Sequence, residues 1–146
     1  MKSTPAVWLL KSEPLVYAYS DLEKAKRATW DGVTNPQAVG NIRQMKQGDL
    51  AWIYHTGEEK AIVGLARATS GGYADPQRPG LTADGQIKFA VVDLEPVSRA
   101  RRLLGLAAIR ADPHFAQWAV LTNSRLSAMA VPPAIHERIK ALTGVK

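Results

Sequence analysis

The sequence predicts a mixed α/β domain built on a curled sheet or small barrel. Two runs, Ala6 to Lys11 and Leu50 to His55, carry apolar or aromatic side chains at every position but the last, so both faces of each strand are filled. Helix-start signals stand between such runs, at Ser20–Glu23 and at Asn35–Pro36. No repeat, low-complexity tract or linker divides the 146 residues, a length suited to one domain. Non-local strands with short helices between them fit a sheet that closes on itself.

In chain order, the first strand sends Trp8 and Leu10 to one side and Val7 and Leu9 to the other. Ser20-Asp-Leu-Glu23 has capping-box spacing, which predicts a short helix from about Asp21 that ends before Trp30-Asp-Gly. Asn35 is a good N-cap and Pro36 a good first-turn residue; Ala38, Ile42 and Met45 share a helix face, and Gly48-Asp49 stops it. Leu50 to His55 is a strand, Thr56-Gly57 a turn, and Ala61 to Thr69 the returning hairpin partner, broken at Gly71-Gly72. Pro76 to Gly85 is a loop, and Ile87 to Leu94 a strand closed by Pro96. Leu103 to Ile109 has helical character, Pro113 to Val120 reads as a turn or short helix, and Ser124 to Val131 as extended chain. Pro132-Pro133 opens a last helix with Ile135, Ile139 and Leu142 on one face and Gly144 as its stop.

Composition narrows function. There is no cysteine, which excludes disulfides, thiolate metal sites and a cysteine nucleophile. The opening MKSTPAVWLLKSEP lacks a small-residue cleavage pattern, and no apolar run reaches the ~20 residues of a membrane span, so a soluble cytoplasmic protein is expected, with no membrane partner. A net charge of +6 favours polyanions, and Arg99, Arg101 and Arg102 form the one basic cluster.

Of the four tryptophans, Trp8, Trp52 and Trp118 lie among aliphatics and read as core. Trp30 stands in a predicted loop between helices, either a flat stacking surface or a lid over the barrel end. The histidines lack metal-ligand spacing; His55 ends a strand beside Tyr54, and His136 reads as a solvated helix position. No phosphate loop, dinucleotide fingerprint or nucleophile elbow is present, so neither cofactor nor metal is expected. Glu13, Asp31 and His55 are the conceivable acid–base set, too scattered to define an active site.

The order of segments "WLLKSEP", "WDGVTNPQAVGNIRQMKQGDLAWIYHTGEEKAIVGLA", "YADP" and "RLSAMAVPP" resembles the EVE domain family, which includes the thymocyte nuclear protein 1-like proteins, from about residue 6 to 142. The resemblance implies an α+β, PUA-like fold spanning residues 1–146: a strongly curved β-barrel flanked by short helices, related to YTH and ASCH domains. Thr34, Pro36 and Val39 depart from the commoner pattern and resemble a bacterial sub-type.

The resemblance also implies that the protein reads a modified base, a cytosine or adenine in DNA or RNA, taken into an aromatic-lined pocket at the barrel mouth. In that pocket Trp30 stacks on the base; Ser12, Asn35 and Gln37 meet its edge, with Ser127 joining them. Lys11 and Arg125 meet a phosphate or polar base atom, while Tyr54 and His55 form a wall. For Asn35, a plain N-cap role stands beside base contact. Two other readings remain: a hydrolase of modified nucleosides, as among ASCH-type relatives, using Lys11, Ser12 and Glu13, or a general RNA-binding domain. Alternation along a strand would place Ser12 opposite Lys11 and Glu13.

Overall fold

The computed structural model describes residues 4–145; the first three residues of the opening stretch and Lys146 lie outside them. In chain order the elements are β1 (Val7–Ser12), α1 (Tyr19–Ala25), β2 (Ala28–Trp30), α2 (Pro36–Gln44), β3 (Leu50–His55), β4 (Ala61–Ala68), β5 (Tyr73–Ala74), β6 (Ala90–Gly105), α3 (Leu106–Ala111), a 3₁₀ turn (Pro113–Phe115), α4 (Ala119–Thr122), β7 (Ala128–Ala130) and α5 (Pro133–Thr143). The strands run in the order β2-β6-β4-β3-β1-β7, with β5 paired to the side of β6. Only β1 and β3 are parallel, Val7 opposite Leu50 through Ser12 opposite His55, so the sheet is mixed.

The sheet curls because its central strands are irregular. The register of β3 on β4 shifts between Ile53 and Tyr54, and that of β4 on β6 shifts twice, between Ile62 and Gly64 and between Leu65 and Ala66. Each extra residue bends its strand and increases the local twist. The result is a curled half-barrel whose two edges, β2 and β7, stay unpaired with each other. Helix α2 packs against both β6 and β7 and so lies across the seam.

Proline 96 does not end its strand. It faces Ala66 at one of those register shifts, where a missing N–H is tolerated, and β6 continues to Gly105. The helix expected from Leu103 therefore starts only at Leu106. Trp30 also departs from expectation: it ends an edge strand, opposite Val92, rather than standing in a loop. Helix α1 begins at Tyr19, earlier than the Ser20 box suggests, with Asp21 Oδ2 accepting the Ala18 N–H at 2.8 Å. Its Tyr19 ring lies on Gly64, where a Cβ would meet the ring at 2.6 Å, and its hydroxyl donates to Leu65 O at 2.7 Å.

The hairpin of β3 and β4, helix α2 from Pro36, and the last helix with Gly144 in the left-handed region at φ 78° all follow the sequence signals. Trp8, Trp52 and Trp118 are buried, and each indole N–H has a partner at 3.0 Å: Asp49 Oδ2, His136 Nδ1 and Ala130 O respectively. His136 is thus half-buried and bound to the core rather than solvated; burial and the charge of Lys140 push its pKa down, against Glu137. No helix among the described residues is long and apolar enough to cross a membrane.

Candidate functional site

The curl brings opposite edges of the sheet to one hollow of about 640 Å³. Its lining comes from the end of β1 (Lys11, Ser12), the turn that follows (Glu13, Val16, Tyr17), the end of β2 with the loop to α2 (Trp30 to Asn35), and the approach to β7 (Arg125, Ser127). β1 and β7 are held together here by Lys11 N–H donating to Ser127 O at 2.9 Å. The cavity therefore sits in the open seam rather than at the mouth where β3 ends. Its volume is within the range of small-molecule sites, roughly 300–1,000 Å³.

Trp30 retains 7% of its surface, yet it lines this hollow. Tyr17 braces it edge-on, with ring centroids 6.0 Å apart at 85°. Unlike the other three tryptophans, Trp30 has no hydrogen-bond partner for its indole N–H among the described residues; nor is that nitrogen one of the sealed unpaired atoms, which are Tyr17 Oη and Arg78 Nη2. A tryptophan packed into a core ordinarily satisfies that donor.

The polar groups around it are mixed. Ser12 Oγ donates to Tyr17 O at 2.6 Å, which ties the turn. Asn35 caps α2: its Oδ1 accepts from Gln37 N at 2.9 Å and Ala38 N at 3.1 Å, and its Nδ2 amide group has no partner among the described residues. Lys11 is half-buried; desolvation lowers its pKa, and Nζ donates to Ser124 O at 3.0 Å while lying 5.6 Å from the Tyr54 ring. Arg125, Glu13 and Asp31 are exposed on the lining, and none is in an ion pair among the described residues.

Six of the residues singled out from sequence meet here: Lys11, Ser12, Trp30, Asn35, Arg125 and Ser127. Three do not. Gln37 has turned away to a second cleft of about 460 Å³, where its Oε1 accepts from Asn123 Nδ2 at 3.3 Å. Tyr54 borders a smaller groove of about 170 Å³ with Lys60 and Arg110. His55 is buried, its Nε2 accepting the Tyr19 N–H at 3.0 Å and its Nδ1 2.5 Å from Glu59. The methyl of Ala18 cannot accept a hydrogen bond to cap α1, so His55 supplies an acceptor for the Tyr19 N–H at the helix start. Strand β3 was expected to wall the pocket; its end instead anchors α1.

Lys11, Ser12 and Glu13 do line one cavity, because the chain leaves the strand after Ser12 and alternation stops there. They make no hydrogen bonds to one another among the described residues. The Arg99-Arg101-Arg102 cluster is committed elsewhere: Arg99 pairs with Glu23, Arg102 donates to Leu142 O and Ala141 O, and the Arg101 stem lies against Gly144. Sequence reading missed Tyr17 and Val16 on the lining; the one available signal was an apolar Leu-Val-Tyr run after "KSEP" with no helical or strand period. Among the described residues no group of His, Asp and Glu could hold a metal ion.

The fold is thus a curled mixed half-barrel with an aromatic-walled hollow in its seam. The chain belongs to the EVE domain family, whose model matches residues 6–142. It is similar to human thymocyte nuclear protein 1, at 29% identity over 75% of this chain and 58% of the human protein. The chain thus spans somewhat more than half the length of that relative. Among solved structures it is similar to Rpa0253 from Rhodopseudomonas palustris, with TM-score 0.84, 34% identity, and 96% and 94% of the two chains covered. It is also similar to human THYN1 solved in complex with 5-methylcytosine-containing DNA, with TM-score 0.84, 26% identity, and 97% and 99% covered.

Proposed function

We propose that this chain binds DNA and holds one modified base, a methylated cytosine or adenine, in the seam cavity without altering it. The observation that carries the reading is Trp30 on the lining of an aromatic-walled hollow, its indole N–H without a partner among the described residues, in a fold whose human relative was solved with 5-methylcytosine-containing DNA. Trp30 and Tyr17 supply the apolar wall. Glu13 and Asp31 are acceptors suited to the exocyclic amine of cytosine or adenine, and Asn35 Nδ2, Ser127 and the indole N–H are donors for ring or carbonyl acceptors. Arg125 and Lys11 stand where the sugar–phosphate chain would enter.

Magnitudes set the division of labour. Stacking a base on an aromatic ring contributes about 1–3 kcal/mol. Extracting it from a duplex costs a few kcal/mol. The two nearly offset, so affinity for duplex comes mainly from phosphate contacts and falls steeply with salt. One added methyl contributes about 0.8 kcal/mol, a factor of roughly four, so stronger preference for a methylated base needs a polar group left unpaired by the wrong base.

The test is a titration at fixed salt of oligonucleotides that differ in one base, cytosine against 5-methylcytosine and adenine against N6-methyladenine, with RNA of the same sequence alongside. The wild-type chain is expected to favour a methylated DNA strand, and Trp30→Ala, compared under conditions where circular dichroism shows it folded because the ring is buried, to bind all of them alike. Equal affinity of the wild type for modified and unmodified strands would reject base reading; preference for the RNA would move the reading to RNA. Mass spectrometry of the recovered oligonucleotide is expected to show it unchanged, and a new product would assign a hydrolase instead.

A further inference from the structure

We infer that the turn Pro14-Leu15-Val16 is an apolar wedge that enters the base stack of a DNA duplex as the neighbouring cavity takes the base. This rests on the reading above and extends it: the substrate is duplex, and the chain itself fills the gap.

The argument starts from exposure. Leu15 is 100% exposed and Val16 77%, the two highest values among the exposed large hydrophobic residues, and they are adjacent. A single exposed leucine is ordinary. This pair stands on a stiff turn. Glu13 O accepts from Val16 N at 2.9 Å and from Tyr17 N at 2.8 Å, Pro14 fixes its own φ, and Ser12 Oγ closes the loop onto Tyr17 O at 2.6 Å. An apolar tip is thus held out in water by four residues that have other choices of conformation.

Place selects the ligand. The turn leaves the cavity lining at Ser12 and Glu13 and rejoins it at Val16 and Tyr17, so Leu15, off the lining itself, lies between residues that border the cavity on both sides in sequence. Tyr17, its C-terminal anchor, is the ring that braces Trp30. Two aliphatic side chains are too small a patch for a protein partner, for which contiguous apolar areas of several hundred Å² are usual. They match the thickness of one step in a base stack, which apolar side chains enter in other DNA-bending proteins. The cavity that Val16 borders is also lined by the exposed cation Arg125, whose charge complements a phosphate beside such a step, and by the carboxylates of Glu13 and Asp31; Lys11 is on the lining with its Nζ donating to Ser124 O.

The test uses the full chain, wild type and Leu15→Ala, with a duplex carrying one methylated base and 2-aminopurine next to it, and with the methylated strand and its unmethylated counterpart as single strands. Because Leu15 is fully exposed, the variant is expected to keep the wild-type melting temperature. Wild type should raise 2-aminopurine fluorescence on binding the duplex. Leu15→Ala should lose on the order of tenfold in affinity for the duplex and most of that rise, while binding the single strand within about twofold of wild type. Equal affinity of the two proteins for the duplex would overturn the wedge, as would an equal loss on duplex and single strand. The single strand also separates the two readings: a wild-type chain that does not distinguish it from the unmethylated strand removes base capture, and the wedge with it.

Discussion

The rings of Tyr17 and Trp30 meet in a T-shaped contact, with centroids 6.0 Å apart and planes at 85°. The Tyr17 hydroxyl behind that contact is sealed and has no partner, and burial, with the charge of Asp21, pushes its pKa up. An unpaired buried hydroxyl costs about 1–3 kcal/mol. Tyr17→Phe is therefore expected to unfold at equal or higher urea concentration than wild type and to bind modified DNA unchanged. Tyr17→Ala removes the brace as well, worth about 0.5–1.5 kcal/mol beyond area burial, and should weaken base discrimination. A clear loss of stability in Tyr17→Phe would show that the hydroxyl is satisfied.

Asn35 has two separable jobs. Its Oδ1 caps α2, and its Nδ2 has no partner among the described residues while the residue lines the cavity. Asn35→Ala should cost about 1 kcal/mol of stability. Asn35→Asp keeps the acceptor and removes the donor, so its melting temperature should stay near wild type while any base contact through Nδ2 is lost. Calorimetry and the oligonucleotide titration, run on both variants, separate the two roles.

His55 is expected to act on stability alone. Its Nε2 satisfies the first N–H of α1, and Nδ1 reaches Glu59. His55→Ala leaves the Tyr19 N–H unpaired in a buried position, a loss of about 1–3 kcal/mol in urea unfolding. Under conditions where the variant is folded, base discrimination should match wild type. A selective loss of discrimination would return His55 to the pocket.

His136 links stability to pH. Burial first, and Lys140 second, hold its folded pKa below the ordinary value, while the unfolded chain titrates near ~6.5. The unfolded state therefore takes the proton more readily. Its contribution is whole above the unfolded value and is lost as pH falls through ~6.5 toward the lower folded pKa. Protonation also removes the acceptor for the Trp52 indole at 3.0 Å. His136→Gln, which keeps an acceptor but does not titrate, should flatten the slope of unfolding free energy between about pH 7 and 5. An unchanged slope would place the proton uptake elsewhere.

Much of the secondary structure was legible because its signals are local. Asn35-Pro36 starts α2, the doubly apolar run Leu50–His55 makes β3 an inner strand, and Pro132-Pro133 with Gly144 bounds α5. The family was legible too, since "WLLKSEP" and the "WDGV" string are contiguous motifs, and six of the nine pocket residues they pointed to do share a cavity. Local signals failed where a long-range contact outweighed them. Pro96 reads as a strand end until a bulge opposite Ala66 accommodates it.

What the sequence by itself determined, then, is the set of elements, their caps and the residue types available for stacking and hydrogen bonding. Which of those residues meet was decided by the curl of the sheet. Strand order puts β2 and β7 at opposite ends, yet Trp30 and Ser127 line the same hollow, and Tyr54 and His55, next to Lys11 and Ser12 in register, do not. The physical reason is that curvature accumulates over several bulged strands, each displaced by contacts far away in the chain, such as the Tyr19 ring on Gly64. No window of sequence contains that sum.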